Sequence, residues 1–183
     1  RYPKATITAL DIAPAMVNAT RQRSPLWQRW RGRYRFLCAD AEQLPCADQR
    51  FDLIFSNLTL QWCGDLALTF RELRRVLRPG GLLIYATLGP DTLKELRASW
   101  AAVDSDPHVN AFLDMHDVGD AMLQAHLADP VMDRDDITLT YGEVMTLLRD
   151  LKALGAHNVN PERRRTLTAR TRLQRMIEHY ATF

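Results

Sequence analysis

One pattern constrains this chain more than any other. Four short apolar or β-branched runs, Thr6–Leu10, Arg35–Ala39, Asp52–Ser56 and Leu82–Leu88, alternate with stretches of helical spacing. Runs of this length, bounded by polar and turn residues, predict buried parallel strands. Pro14 suits the first turn of a helix that reaches about Arg21. Asp65 is placed to cap a helix over Leu66–Leu77, whose stripe is Leu66, Phe70, Leu73 and Leu77. Pro79-Gly80-Gly81 should stop that helix and turn the chain into the fourth strand. Strand alternating with helix predicts an α/β fold of Rossmann-like type, a mostly parallel sheet with helices on both faces.

The second half reads as more helical. Thr92 and Glu95 have capping-box spacing ahead of Leu93, Leu96, Trp100 and Val103. Further helices are predicted over Val118–Ala125, from Val144 to Leu154 with Gly155 as its stop, and around Leu173, Met176, Ile177 and Tyr180. Alternation of Ile137, Leu139 and Tyr141 predicts a strand within Pro130–Tyr141. The length of 183 residues suits one domain.

Composition enters as a set of exclusions. A net charge of +2 gives no strong overall field, so no nucleic-acid partner is expected. The longest apolar run falls short of the roughly 18 residues of a membrane span, so no membrane partner is expected either. The 3 cysteines, Cys38, Cys46 and Cys63, are too few for a disulfide scaffold. They fit a reducing, cytoplasmic compartment, and their spacing matches no zinc pattern. Asp114, His116 and Asp117 lack a further placed ligand, and no metal is expected.

In an open α/β sheet, ligands lie outside the carboxyl ends of the strands. The first strand ends at Asp11, the second at Asp40 and the third at Ser56-Asn57-Leu58. A helix cap ahead of Pro14 would account for Asp11 alone, and a turn acid before Pro45 for Asp40 alone. Both acids at successive strand ends favour a nucleotide-like ligand that offers hydroxyls.

The stretches Leu10–Met16, Asp40–Pro45, Phe51–Asn57 and Leu77–Gly81 together resemble the class I S-adenosylmethionine-dependent methyltransferases. The resemblance implies S-adenosylmethionine as cofactor. It further implies that Asp11 holds the ribose hydroxyls, with Ile12 beside it, and that Met16 packs near the adenine. Asp40 would meet the adenine amino group and the Ala41 amide a ring nitrogen, while Asn57 and Leu58 would line the floor beneath the methionine portion. Ser56–Cys63, Leu88–Arg97, Pro107–Asn110 and Leu151–Asn158 are similar to a narrower family, the malonyl-acyl-carrier-protein O-methyltransferases of biotin synthesis. That resemblance implies methylation of the free carboxylate of malonyl on acyl carrier protein. Its candidate substrate-binding residues are Gln61, Trp62, His108, Asn110, Lys152 and His157, and no residue is assigned as a catalytic acid or base. It also implies helical additions on the substrate side, at residues 90–128 and 142–183. Gly89–Leu93 and the Trp62 segment resemble a complex I assembly factor that hydroxylates arginine as well. A non-catalytic cofactor-binding or assembly module is a further alternative.

The chain departs from this family at both ends. Its 8 glycines contain no G-x-G-x-G loop, and no antiparallel edge strand is predicted after the last helix. The expectation is an interior piece of a longer protein, or one with its flanks disordered or removed. Such a piece would leave two inner strand edges open and would be inactive by itself. Arginines gather over 29–35, 71–78 and 163–175, and one such face is expected to dock the acidic carrier.

Overall fold

The computed structural model describes residues 4–156, 158 and 168–183. The chain folds as two compact units, Arg1–Thr87 with Val118–Pro130, and Leu88–Asp117 with Val131–Phe183.

The first unit holds all the strands. β1 (Ile7–Asp11) leads into α1 (Pro14–Arg23) and the short α2 (Leu26–Trp30). β2 (Tyr34–Cys38) then pairs in parallel with β1, Ile7 opposite Tyr34 and Asp11 opposite Cys38. Pro14 occupies the first turn of α1, where its missing N–H would have had no helical partner anyway. Val17 buries its side chain in this unit. β3 (Phe51–Asn57) pairs in parallel with β4 (Leu77–Ala86). Between them run a 3-10 turn at Leu60–Trp62 and α3 (Leu66–Val76). The Asp65 carboxylate accepts the Leu68 N–H at 2.8 Å, so the predicted cap is formed. Phe70 and Val76 of α3 are fully buried, and Phe70 meets the Tyr85 ring edge-on at 5.6 Å.

The strands form two separate parallel ladders, β1–β2 and β3–β4, rather than one continuous sheet. Among the described residues each of the four strands has one ladder partner. The fourth strand also begins earlier than its apolar run. Phe51 pairs with Leu77, the register then jumps, and Leu53 pairs with Leu82. The extra residues hold Pro79-Gly80-Gly81, with Gly80 at φ 74°. A Cβ on Gly81 would stand 2.9 Å from the Arg78 carbonyl oxygen, so this irregularity requires a residue without one.

The second unit packs α4 (Lys94–Ala101), α6 (Val144–Ala153) and α7 (Arg170–Tyr180) around Leu96, Trp100, Val144, Leu147 and Met176. α6 closes as its Gly155 predicts: Gly155 N–H donates to Lys152 O and Ala156 N–H to Leu151 O, with Gly155 at φ 74°.

Three further expectations are corrected. The Thr92–Glu95 capping box does not form, because Leu93 takes a left-handed φ of 57° between Thr92 and the helix. The Thr92 carbonyl is instead held by Arg97 Nη2 at 3.0 Å. No strand forms over Pro130–Tyr141. Arg134 there binds Asp136 and Asp91, both at 2.8 Å, and the stretch meets no ladder partner among the described residues. The helix predicted at Val118 starts earlier, as α5 (Met115–Gln124). The cause is Asp114, whose Oδ1 accepts the N–H of His116 and of Asp117. Those bonds, led by the one from Asp117, hold the Asp114 carboxyl below its ordinary range.

Candidate cofactor edge and acceptor residues

Parallel pairing puts the carboxyl ends of β1 and β2 at one edge of their ladder. Asp11 ends β1, and Asp40 follows β2 after Ala39. Each carboxylate spends one oxygen on its own turn. Asp11 Oδ1 accepts the Ala13 N–H at 2.8 Å, and Asp40 Oδ1 accepts the Glu42 N–H at 2.9 Å. The other oxygen of each has no partner among the described residues. Two fixed carboxylates with a spare oxygen apiece suit a ligand that donates hydrogen bonds. The half-buried Ala41 N–H, next to Asp40, likewise has no acceptor among the described residues. Ile12 is 68% exposed and Met16 54% exposed, an apolar surface beside Asp11 that a flat ring could cover. This donor and acceptor set fits the ribose and adenine of S-adenosylmethionine.

The loop that carries Asp40 is held from a distance. Glu42 Oε1 accepts the N–H of Gly64 and, at 3.1 Å, that of Asp65. Glu72 Oε2 accepts the Leu44 N–H at 2.8 Å. Arg75 Nη2 donates to Leu44 O at 2.9 Å, and Nη1 to Cys46 O at 2.8 Å and Asp48 Oδ1 at 2.6 Å. Arg75 also grips Glu72 through Nε and Nη2, both at 2.8 Å. The hydrogen bonds from Arg75 lead in pulling the Glu72 carboxyl below its usual range, and Glu72 in turn raises Arg75. The second strand end is therefore tied to α3 by a two-sided clamp. Sequence reading missed Glu42 and Glu72, and took Arg75 only as part of a basic cluster that could dock the carrier rather than as a tie to this loop. Only the i, i+3 spacing of Glu72 and Arg75 hinted at a pair.

At the end of β3, Asn57 is exposed and Leu58 takes φ 51°. Its N–H reaches Ala86 O at 2.9 Å, which ties this strained residue to the end of β4. Gln61 and Trp62 lie on the 3-10 turn that follows, where Thr87 Oγ1 donates to Gln61 Oε1 at 3.4 Å. Cys63 is half-buried, and that burial pushes its thiol up.

The remaining acceptor candidates belong to the second unit. The His108 ring stacks on Trp100 with centroids 3.8 Å apart, and its Nε2 lies 2.8 Å from Asp104 Oδ1. Arg172 Nη1 takes Asp104 Oδ2 at 3.0 Å and lies 3.6 Å from Asp106. Partial burial pushes Asp104 up. The hydrogen bonds from His108 and the Asp106 N–H, with the charges of His108 and Arg172, outweigh it and hold the carboxyl low. His108 thus has structural partners on two sides. Asn110 is half-buried, and Lys152 is exposed in the last turn of α6. His157 lies outside the described residues, while its neighbour Asn158 donates from Nδ2 to Pro107 O. Asp104, Asp106 and His108 have the spacing of a metal cluster, but the guanidinium of Arg172 already sits against both carboxylates. Among the described residues, no helix is long and apolar enough to cross a membrane.

A family model described as "Methyltransferase domain" matches residues 1–85. The malonyl-[acyl-carrier protein] O-methyltransferase of Nitrosospira multiformis is 48% identical over 194 residues, covering 100% of this chain and 63% of the relative. That of Gallionella capsiferriformans is 49% identical, covering 98% of this chain and 63% of the relative. That of Legionella pneumophila is 40% identical, covering 99% and 62%. The chain thus spans about three-fifths of the length of the curated relatives it matches. Among solved structures, the YcgJ protein of Bacillus subtilis superposes with a TM-score of 0.63 at 17% identity. That match covers 95% of this chain and 67% of the other and speaks for the fold. Over the part of their length that it spans, this chain is similar in sequence to the malonyl-[acyl-carrier protein] O-methyltransferases, and its fold is that of the class I S-adenosylmethionine-dependent methyltransferases.

Proposed function

We propose that this chain supplies the cofactor edge and acceptor residues of an enzyme that methylates the free carboxylate of malonyl carried on acyl carrier protein. The observation that carries the reading is the pair of strand-end carboxylates, each with one oxygen fixed and one free, in a chain 46–49% identical to five enzymes of that name. Asp11 would accept from the ribose hydroxyls. Asp40 and the Ala41 N–H would meet the adenine edge, Ile12 and Met16 would cover its face, and Asn57 and Leu58 would floor the methionine portion. S-adenosylmethionine, when bound, supplies an electrophilic methyl group.

The protein's own share of the chemistry is small. A malonyl carboxylate is ionised at neutral pH, since carboxyl groups titrate near 4, so no general base is needed to create the nucleophile. What remains is to hold an oxygen in line with the methyl carbon and to strip the carboxylate of water. Gln61 and Trp62, at the β3 end, are the acceptor candidates in the strand-bearing unit; Asn110, Lys152, His108 and His157 are those of the helical part.

The test is methyl transfer from labelled S-adenosylmethionine by the longest natural chain that contains this sequence. Malonyl-acyl carrier protein should be labelled and acetyl-acyl carrier protein, which has no free carboxylate, should not. Asp11→Ala should weaken S-adenosylmethionine binding by about 1–3 kcal/mol, the scale of hydrogen bonds to a charged group. Unchanged affinity by calorimetry would refute the role given to Asp11, and equal labelling of both carriers would refute the acceptor.

A further inference from the structure

Between Asp11 and Asp40 the chain has no acidic residue, yet it carries Arg21, Arg23, Arg29, Arg31, Arg33 and Arg35. That segment is +6 in a chain of +2, so the rest sums to 2 − 6 = −4. The structure gathers these residues at the end of α1, around α2 and at the start of β2. None of the six makes an ion pair among the described residues. The other basic clusters are mixed: Arg75 and Arg78 are paired to Glu72, Asp48 and Asp52, and Arg172 to Asp104, while Arg71, Arg74, Arg170 and Arg175 make no ion pair among the described residues. Arg163, Arg164 and Arg165 lie outside the described residues.

The unpaired charges surround exposed apolar side chains. On α2, Leu26 is 66%, Trp27 57% and Trp30 90% exposed. Arg31 lies over the Trp27 ring at 5.5 Å, which helps to set both side chains in place. Tryptophan and arginine are the residues that most often anchor protein interfaces. All six cations are arginine, whose planar fork matches carboxylates in pairs. α2 has only 5 residues, a small apolar area for holding a lipid surface.

The position of this face matters as well. α1 starts beside Asp11 at the carboxyl edge of β1 and runs for 10 residues, about 15 Å, toward the opposite edge. A carrier protein presents its acyl group on a long flexible thioester arm, so its body need not sit at the reacting edge.

We propose that the arginine and tryptophan face of α1, α2 and the start of β2 docks the body of an acidic acyl carrier protein. The proposal rests on the carrier reading above and adds where the carrier binds. It is tested by calorimetric binding of apo-acyl carrier protein, which has no arm, to the longest natural chain containing this sequence. At low salt, Arg29→Glu with Arg31→Glu should weaken binding about tenfold or more, and the loss should shrink as salt rises. Arg29→Gln with Arg31→Gln should give a smaller loss in the same direction. Arg50→Glu with Arg71→Glu makes the same change of charge elsewhere and should alter affinity less than about threefold. Trp30→Ala should weaken binding at every salt concentration. Thermal melts followed by circular dichroism confirm that each variant is folded.

Equal losses from both glutamate pairs, or none from the pair on α2, would overturn the dock. So would tight binding of a single-stranded oligonucleotide or of phosphatidylglycerol vesicles, abolished by the α2 pair, with carrier binding intact. Methylation of a small malonyl thioester does not use the dock and should be unchanged in these variants. Its absence in the parent enzyme would count against the function and not against the dock.

Discussion

Removing the Arg75 guanidinium should loosen the loop that carries Asp40. In Arg75→Ala the carbonyls of Leu44 and Cys46 lose their charged donor, and Glu72 keeps only the Leu44 N–H. The bond to Asp48 contributes little, because that side chain is 71% exposed and solvent screens it. The two carbonyl bonds are worth about 1 kcal/mol each after discounting for the partial exposure of Arg75. Stranding the mostly covered Glu72 carboxylate adds about 1 kcal/mol more. The expected loss is about 2–4 kcal/mol in urea unfolding, with faster amide exchange at Leu44. Arg75→Lys should recover little of it, since an ammonium cannot span Glu72 and two carbonyls at once. The acid limb supplies a second check. The Glu72 carboxyl is lowered in the folded chain, so its stabilising share is complete above the unfolded value near 4.3 and fades as pH falls through the folded value. The gap between parent and variant should therefore narrow below about pH 4. A loss under about 0.5 kcal/mol, or a gap that does not change with pH, would refute the clamp.

Gly81→Ala should destabilise by about 1–3 kcal/mol, because its Cβ would meet the Arg78 carbonyl oxygen at 2.9 Å and Leu77 Cδ2 at 3.1 Å. Gly89→Ala, with open space around it, is the control, and urea unfolding compares the two. Asp104→Asn should lower stability at neutral pH by about 1–2 kcal/mol by weakening the contacts to His108 and Arg172. The native carboxyl is lowered, so its contribution is present above about pH 4 and lost on acidification; unfolding curves of the two proteins should converge there.

Elements fixed by local chemistry were legible in the sequence. Pro14 opens α1, Asp65 caps α3 and Gly155 closes α6, each through contacts within a few residues. The Thr92–Glu95 spacing met the same local rule and failed, because Arg97 fastens the carbonyls of Pro90 and Thr92 and leaves Leu93 left-handed. The stretch Pro130–Tyr141 had strand periodicity, but a strand needs a neighbour, and Arg134 is bound instead to Asp136 and Asp91. The early start of β4 was equally hidden, since Leu77 becomes a strand residue only by pairing with Phe51 across the register jump.

The candidate cofactor edge shows the same division. Asp11 and Asp40 could be read because a parallel strand places the residues that follow it at one known edge, whatever else the fold contains. The residues that give those acids a fixed setting could not. Glu42 reaches Gly64 and Asp65, and Arg75 reaches back to Leu44 and Cys46, at separations that no local pattern encodes. Both connections start from the loop after β2: Glu42 reaches the turn that opens α3, and Leu44 and Cys46 are held by Arg75 within α3, the helix between β3 and β4. The clamp therefore joins one strand pair to the helix that covers the other. Loss of Arg75 should disturb the placement of Asp40 before it disturbs either ladder, because each ladder keeps its own backbone bonds.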